Sequence, residues 1–169
     1  MNAPLQINQK VTDPAIFGEV NCWRGACLQS FAEVEEAASE ALAALATVEG
    51  RGKDIKLRLL LGQKLEDLAT AIGTGGTFAI EGKSAAKALA EFRSNEDLRI
   101  CLAHAVAHIV VERNRNWIVV LLRGSTTSKG ERVTRTIDKA EALATQKELR
   151  RHSQSLCAQL RNLVQILPA

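Results

Sequence analysis

Residues 94–122 read SNEDLRICLAHAVAHIVVERNRNWIVVLL, and the spacing of apolar residues changes halfway through them. Leu98, Cys101, Leu102 and Ala105 recur at steps of three and four, the period of a helix facing a core. Ser94 followed by Asp97 has the form of a capping box, and Glu96 adds negative charge where a helix dipole favours it. From His108 the pattern becomes β-branched: His108 to Glu112, then Arg113-Asn114-Arg115-Asn116, then Trp117 to Leu122. That is strand, turn, strand. A helix running into a β-hairpin is thus the pivot of the fold.

Upstream, two long amphipathic segments are expected to be helices. The first ends near Gly50 and carries the stripe Trp23, Cys27, Phe31, Val34, Ala38, Ala41, Leu45, Val48, with Glu33, Glu36 and Glu40 on the opposite face. The second covers about Asp54 to Ile72, with Leu57, Leu61, Leu65, Leu68 and Ile72 as its stripe and Gly73 as its stop. Thr74-Gly75-Gly76-Thr77 lacks the spacing of a phosphate-binding loop and reads as a linker. A short helix from about Lys83 to Phe92 precedes the pivot.

Downstream, residues 124–130 read as an exposed, flexible loop, and Arg132 to Ile137 as a third short strand. A last helix begins at Asp138, with Glu141 completing a capping box, and continues to about Leu163. In it Ala142, Leu149, Leu156 and Leu163 recur every seven residues.

Composition agrees with a mainly α fold. The 169 residues include 25 Ala and 21 Leu, whereas Phe, Trp and Tyr together make up 4%, which disfavours a β-sandwich or barrel. The expectation is a four-to-five-helix bundle with a β-hairpin at about 107–137 before the last helix. Residues 1–18 read as a flexible N-terminal arm and 19–169 as a single domain. No apolar run approaches the length of a membrane span, and the N-terminus lacks the basic start and apolar core of a signal peptide. A cytoplasmic protein without a membrane partner is therefore expected. Cys22, Cys27, Cys101 and Cys157 form no CxxC pair and read as idle thiols.

The net charge of +3 is unevenly distributed. Residues 1–111 hold 11 Lys and Arg against 14 Asp and Glu, and residues 112–169 hold 11 against 5. Arg113, Arg115, Arg123, Lys129, Arg132, Arg135 and Lys139 crowd the hairpin region. Such a cluster suits a nucleic acid, and Trp117 among the arginines suggests a ring for a base to stack on. The same residues equally describe a solvated face with Trp117 packed inward. Arg150-Arg151-His152 likewise reads as an extension of the basic surface or a solvated face.

The strongest chemical signal is Arg99 with His104. An arginine holds a scissile phosphate as a fixed cation, and a histidine moves protons near neutral pH, so the pair needs no metal or other cofactor. Five residues of helix correspond to about 500° of rotation, so the side chains leave the axis about 140° apart. Curved side chains or a second protomer would be needed to join them. The other reading gives Arg99 a salt bridge to Asp97, Glu96 or Glu66 and places His104 in a core. His104 and His108 would share a face only on a continuous helix, which the strand pattern interrupts, so no metal site is expected.

Two long helices, a helix bearing Leu98-Arg99-Ile100-Cys101-Leu102-Ala103-His104, a hairpin and a final helix resemble the HEPN superfamily. The resemblance in helix order spans roughly residues 20–165. It implies a dimeric helical bundle, metal-independent endoribonuclease activity or RNA binding in a bacterial toxin or defence setting, an operon partner protein, and Arg99 and His104 as the catalytic pair. Position 100 is Ile where the family prefers a polar residue, a departure that matches relatives serving as non-catalytic dimerisation or regulatory interaction modules.

Overall fold

Asp13 and Pro14 start the first helix. The Asp13 carboxylate accepts the Ala15 N–H at 3.0 Å, and Pro14 occupies a first-turn position where no N–H is needed. In the computed structural model, which describes residues 13–113, 115–124 and 132–167, this helix α1 spans Pro14–Thr47. It therefore begins inside the stretch read as an arm. Residues 1–12 of that arm lie outside the described residues, as do Asn114 of the expected turn and residues 125–130 of the loop, Lys129 among them.

The order that follows is α2 (Leu61–Ile72), α3 (Lys83–Arg93), α4 (Glu96–His104), β1 (Val106–Val111), β2 (Trp117–Gly124), β3 (Arg132–Asp138) and α5 (Lys139–Ile166). The described residues thus form a mainly helical fold, with a three-stranded sheet before the last helix, as the sequence leads one to expect. All eight residues of the α1 stripe are buried, and so are Ala142, Leu149, Leu156 and Leu163 of α5. A fully buried Leu contributes about 1.5–3 kcal/mol, so these stripes account for much of the stability.

The chain divides into two compact units, Met1–Leu28 with Asp97–Lys147, and Gln29–Glu96 with Glu148–Ala169. In the second, Phe31 meets Phe92 edge-on at 5.5 Å, Lys64 pairs with Glu35 at 3.0 Å, and Arg51 lies 4.6 Å over the Phe78 ring while bonding Glu81 at 2.6 Å. His152 is buried in this unit, against Asn95 at 3.2 Å and Arg151 at 2.7 Å, so it belongs to the core and not to a basic face.

Two local expectations are corrected. The helix expected from Asp54 begins only at Leu61, and residues 55–60 are not helical, with Leu57 66% exposed. The leucine spacing continues the stripe on paper, but the segment leaves the helical path, and its Arg58 forms an ion pair with Asp67 of α2 at 3.0 Å. Ser94 does not cap α4 either, because its hydroxyl donates back to the Glu91 carbonyl at 2.7 Å. By contrast, the Asp138 carboxylate accepts the Glu141 N–H at 2.8 Å and caps α5. Gly73 closes α2, where a Cβ would collide with the Ala69 carbonyl.

In the first unit, β2 is the central strand, antiparallel to both neighbours. Ile109 faces Val119, and Val119 faces Ile137. Those three residues are buried together with Trp117 and Leu121, and they form the inner side of the sheet. Trp23 of α1 lies 6.0 Å from Trp117, and its indole N–H donates to the Ala142 carbonyl at 2.8 Å. The other side carries Val106, Val110, Ile118, Val120 and Leu122, all exposed or half-buried.

Candidate functional site

Helix α4 is short, and its C-terminal carbonyls need partners that its own turns cannot supply. Arg24 of α1 provides them, with Nε 2.7 Å from the Leu102 oxygen and Nη2 3.4 Å from the Ala105 oxygen. A cation at this end also opposes the negative pole of the helix. Leu98, Cys101 and Leu102 are buried, and they fix the rotation of α4. Arg99 and Ile100 are then half-buried, while Ala103 and His104 are exposed.

Neither Arg99 nor His104 has a hydrogen-bond or ion-pair partner among the described residues. None of the acids considered for Arg99 pairs with it. Arg93 holds Glu66 at 3.0 Å and Glu96 at 2.8 Å, and Asp97 is exposed. His104 is not in a core. The two side chains are thus free to meet an outside group, and helix geometry directs them about 140° apart. His104 ends α4 while His108 lies on β1, so their spacing of four does not place them on one helical face. Among the described residues no group of three or more His, Cys, Asp or Glu could hold a metal.

The basic residues of the hairpin, adjacent in sequence, separate in space. Arg113 and Arg115 sit at the β1–β2 turn, where Arg115 adopts φ 66° and bonds Asp13 at 2.7 Å. Arg123 and Arg135 lie towards the other end of β2. From Trp117 at the start of β2 to Arg123 near its end is six residues, about 20 Å of strand, so Arg115 and Arg123 lie at opposite ends. Lys139 is engaged by Glu19 at 2.6 Å. Arg132 opens β3 opposite Gly124, at the same end as Arg123. Trp117 is 1% exposed and packed on Trp23, so it offers no ring face to a base.

Sequence reading missed Arg24. Its position beside Trp23 in the α1 stripe is a weak signal, because the carbonyls it serves are 78 and 81 positions away. The buried thiols are chemically quiet. Burial pushes Cys27 up to about 11 and also raises Cys157. Among the described residues, no helix is long and apolar enough to cross a membrane.

Comparison of the chain with protein-family models, with curated proteins and with solved structures gives no match.

Proposed function

We propose that the chain is a HEPN-like protein that acts on RNA in the bacterial cytoplasm without a metal, with Arg99 and His104 as its working pair. The observation that supports this most is the state of both side chains. Each reaches solvent, and neither is used by the fold among the described residues. A buried histidine and a salt-bridged arginine would have favoured a structural role.

The chemistry follows from the two groups. Neutral imidazole takes the proton of an RNA 2′-hydroxyl, whose oxygen attacks the adjacent phosphorus. The P–O5′ bond breaks as the new P–O2′ bond forms, and the imidazolium returns its proton, directly or through water, to the departing 5′-oxygen, leaving a 2′,3′-cyclic phosphate and a 5′-hydroxyl. Arg99 neutralises the charge that builds on the phosphoryl oxygens. Since the side chains diverge by about 140°, the active form pairs Arg99 of one copy with His104 of another, in a two-fold homodimer. RNA cleavage in EDTA tests the reading, with wild type set against Arg99→Ala and His104→Ala. Equal activity in all three removes these residues as catalysts.

A second reading is a non-catalytic dimerisation or regulatory module that holds an operon partner protein. Ile100 favours it, as does the apolar outer side of the sheet formed by Val106, Val110, Ile118, Val120 and Leu122. It requires a stable complex with no turnover of RNA.

A further inference from the structure

Leu121 and Arg135 are paired across β2 and β3, and Arg123 is paired with Val133. Opposite residues of antiparallel strands point to the same side, and so do residues two apart on one strand. Arg123 and Arg135 therefore share the inner side of the sheet with the buried Leu121 and Ile137. As diagonal neighbours they stand about 7–8 Å apart at the backbone, within joint reach of one small group. Both are half-buried, and neither has a hydrogen-bond or ion-pair partner among the described residues. Arg123 Nε is sealed from solvent and unsatisfied.

Two partly desolvated cations side by side repel each other, and burial raises the cost of leaving either unpaired. A third guanidinium, Arg24, is held at this end of the sheet by the Ala105 carbonyl, one residue before β1 begins. A site of this kind calls for an anion with several oxygens. The planar forks of two arginines match a tetrahedral phosphate better than a halide or a single carboxylate.

We propose that Arg123 and Arg135 form a binding site for a phosphate group on the inner side of the sheet. The site stands on strand register and burial, and it does not depend on Arg99 and His104 acting on RNA. The ligand chemistry is a phosphoryl oxyanion, supplied either by free phosphate or by the phosphodiester of an RNA strand.

The test is calorimetric titration of the full chain, in chloride buffer, with inorganic phosphate and separately with a twelve-residue single-stranded RNA. Arg123→Gln and Arg135→Gln are compared with wild type and with Arg150→Gln, an exposed control on α5. Saturable binding of phosphate, weakened at least about tenfold by each sheet substitution and unchanged in the control, is expected. Tighter binding of the RNA with the same dependence assigns the site to a phosphodiester, and binding of phosphate alone assigns it to the free ion. In phosphate-free buffer, Arg135→Gln is expected to raise the thermal midpoint, because it relieves the repulsion. Absence of saturable binding to both probes, or binding that survives both sheet substitutions, overturns the proposal. RNA cleavage dependent on Arg99 would stand in either case, so the two ideas fail separately.

Discussion

The guanidinium of Arg24 donates to the carbonyl oxygen of Leu102 at 2.7 Å, so α1 closes the end of a helix that lies 78 positions further along the chain. His104 belongs to that last turn, and its position depends on the contact. Arg24→Ala leaves two carbonyls without their partner, with an expected cost of about 1–3 kcal/mol in urea unfolding. An unchanged midpoint would mean that the α4 end is held by other means.

The non-helical segment before α2 gives a sharp contrast between neighbouring leucines. Leu57 is 66% exposed and Leu61 is buried, although both fit one helical stripe. Leu57→Ala is expected to change stability by under about 0.5 kcal/mol, and Leu61→Ala to cost about 2–5 kcal/mol. Equal, large losses would restore the longer helix.

That contrast shows where the sequence was legible. Stripes that stay in register with a buried neighbour, such as Trp23 to Val48 and Ala142 to Leu163, predict burial position by position. The switch at His108 from helical to alternating spacing locates the hairpin, because β-branched runs have few other uses in an Ala- and Leu-rich chain. Leu57 and Ser94 deceived for a different reason. A local pattern is a statement about what a segment permits, and Arg58–Asp67 and Ser94–Glu91 are contacts that compete with it. The candidate site was legible only in part. Arg99 and His104 are visible as a motif, but Arg24, which holds the C-terminal end of their helix, is brought there by tertiary packing. The hairpin arginines divide between the two ends of the sheet, which their closeness in sequence does not reveal, since a strand carries its residues from one end to the other.

Thiol chemistry offers a check on the buried stripe. Cys22 is exposed, whereas Cys27, Cys101 and Cys157 are buried and the Cys27 thiol is pushed up to about 11. A maleimide-free disulfide reagent at pH 8 is expected to label the folded protein once, at Cys22, and Cys22→Ser not at all. All four thiols should react in denaturant. Rapid labelling of Cys27 would place that face of α1 in solvent.

The Arg51–Glu81 pair predicts a pH signature. The hydrogen bond from Arg51 holds the Glu81 carboxyl below the usual range. A lowered folded-state value means stability that is present above the unfolded value, near 4.5, and lost as pH falls through the folded one. Both side chains are partly exposed, so Glu81→Gln should cost only about 0.5 kcal/mol at pH 7. The difference from wild type should fade as the solution is acidified below pH 4.5. A gap that persists in acid would assign the loss to packing.

The most direct test of the account is cleavage of a single-stranded RNA in EDTA by wild type, Arg99→Ala, His104→Ala, and an equimolar mixture of the two variants. If one copy supplies Arg99 and the other His104, each variant alone is inactive, and mixed dimers regain up to about a quarter of wild-type activity. The fragments should carry 2′,3′-cyclic phosphates. Cleavage by wild type that both substitutions leave intact, or no cleavage by any of the four, would contradict it.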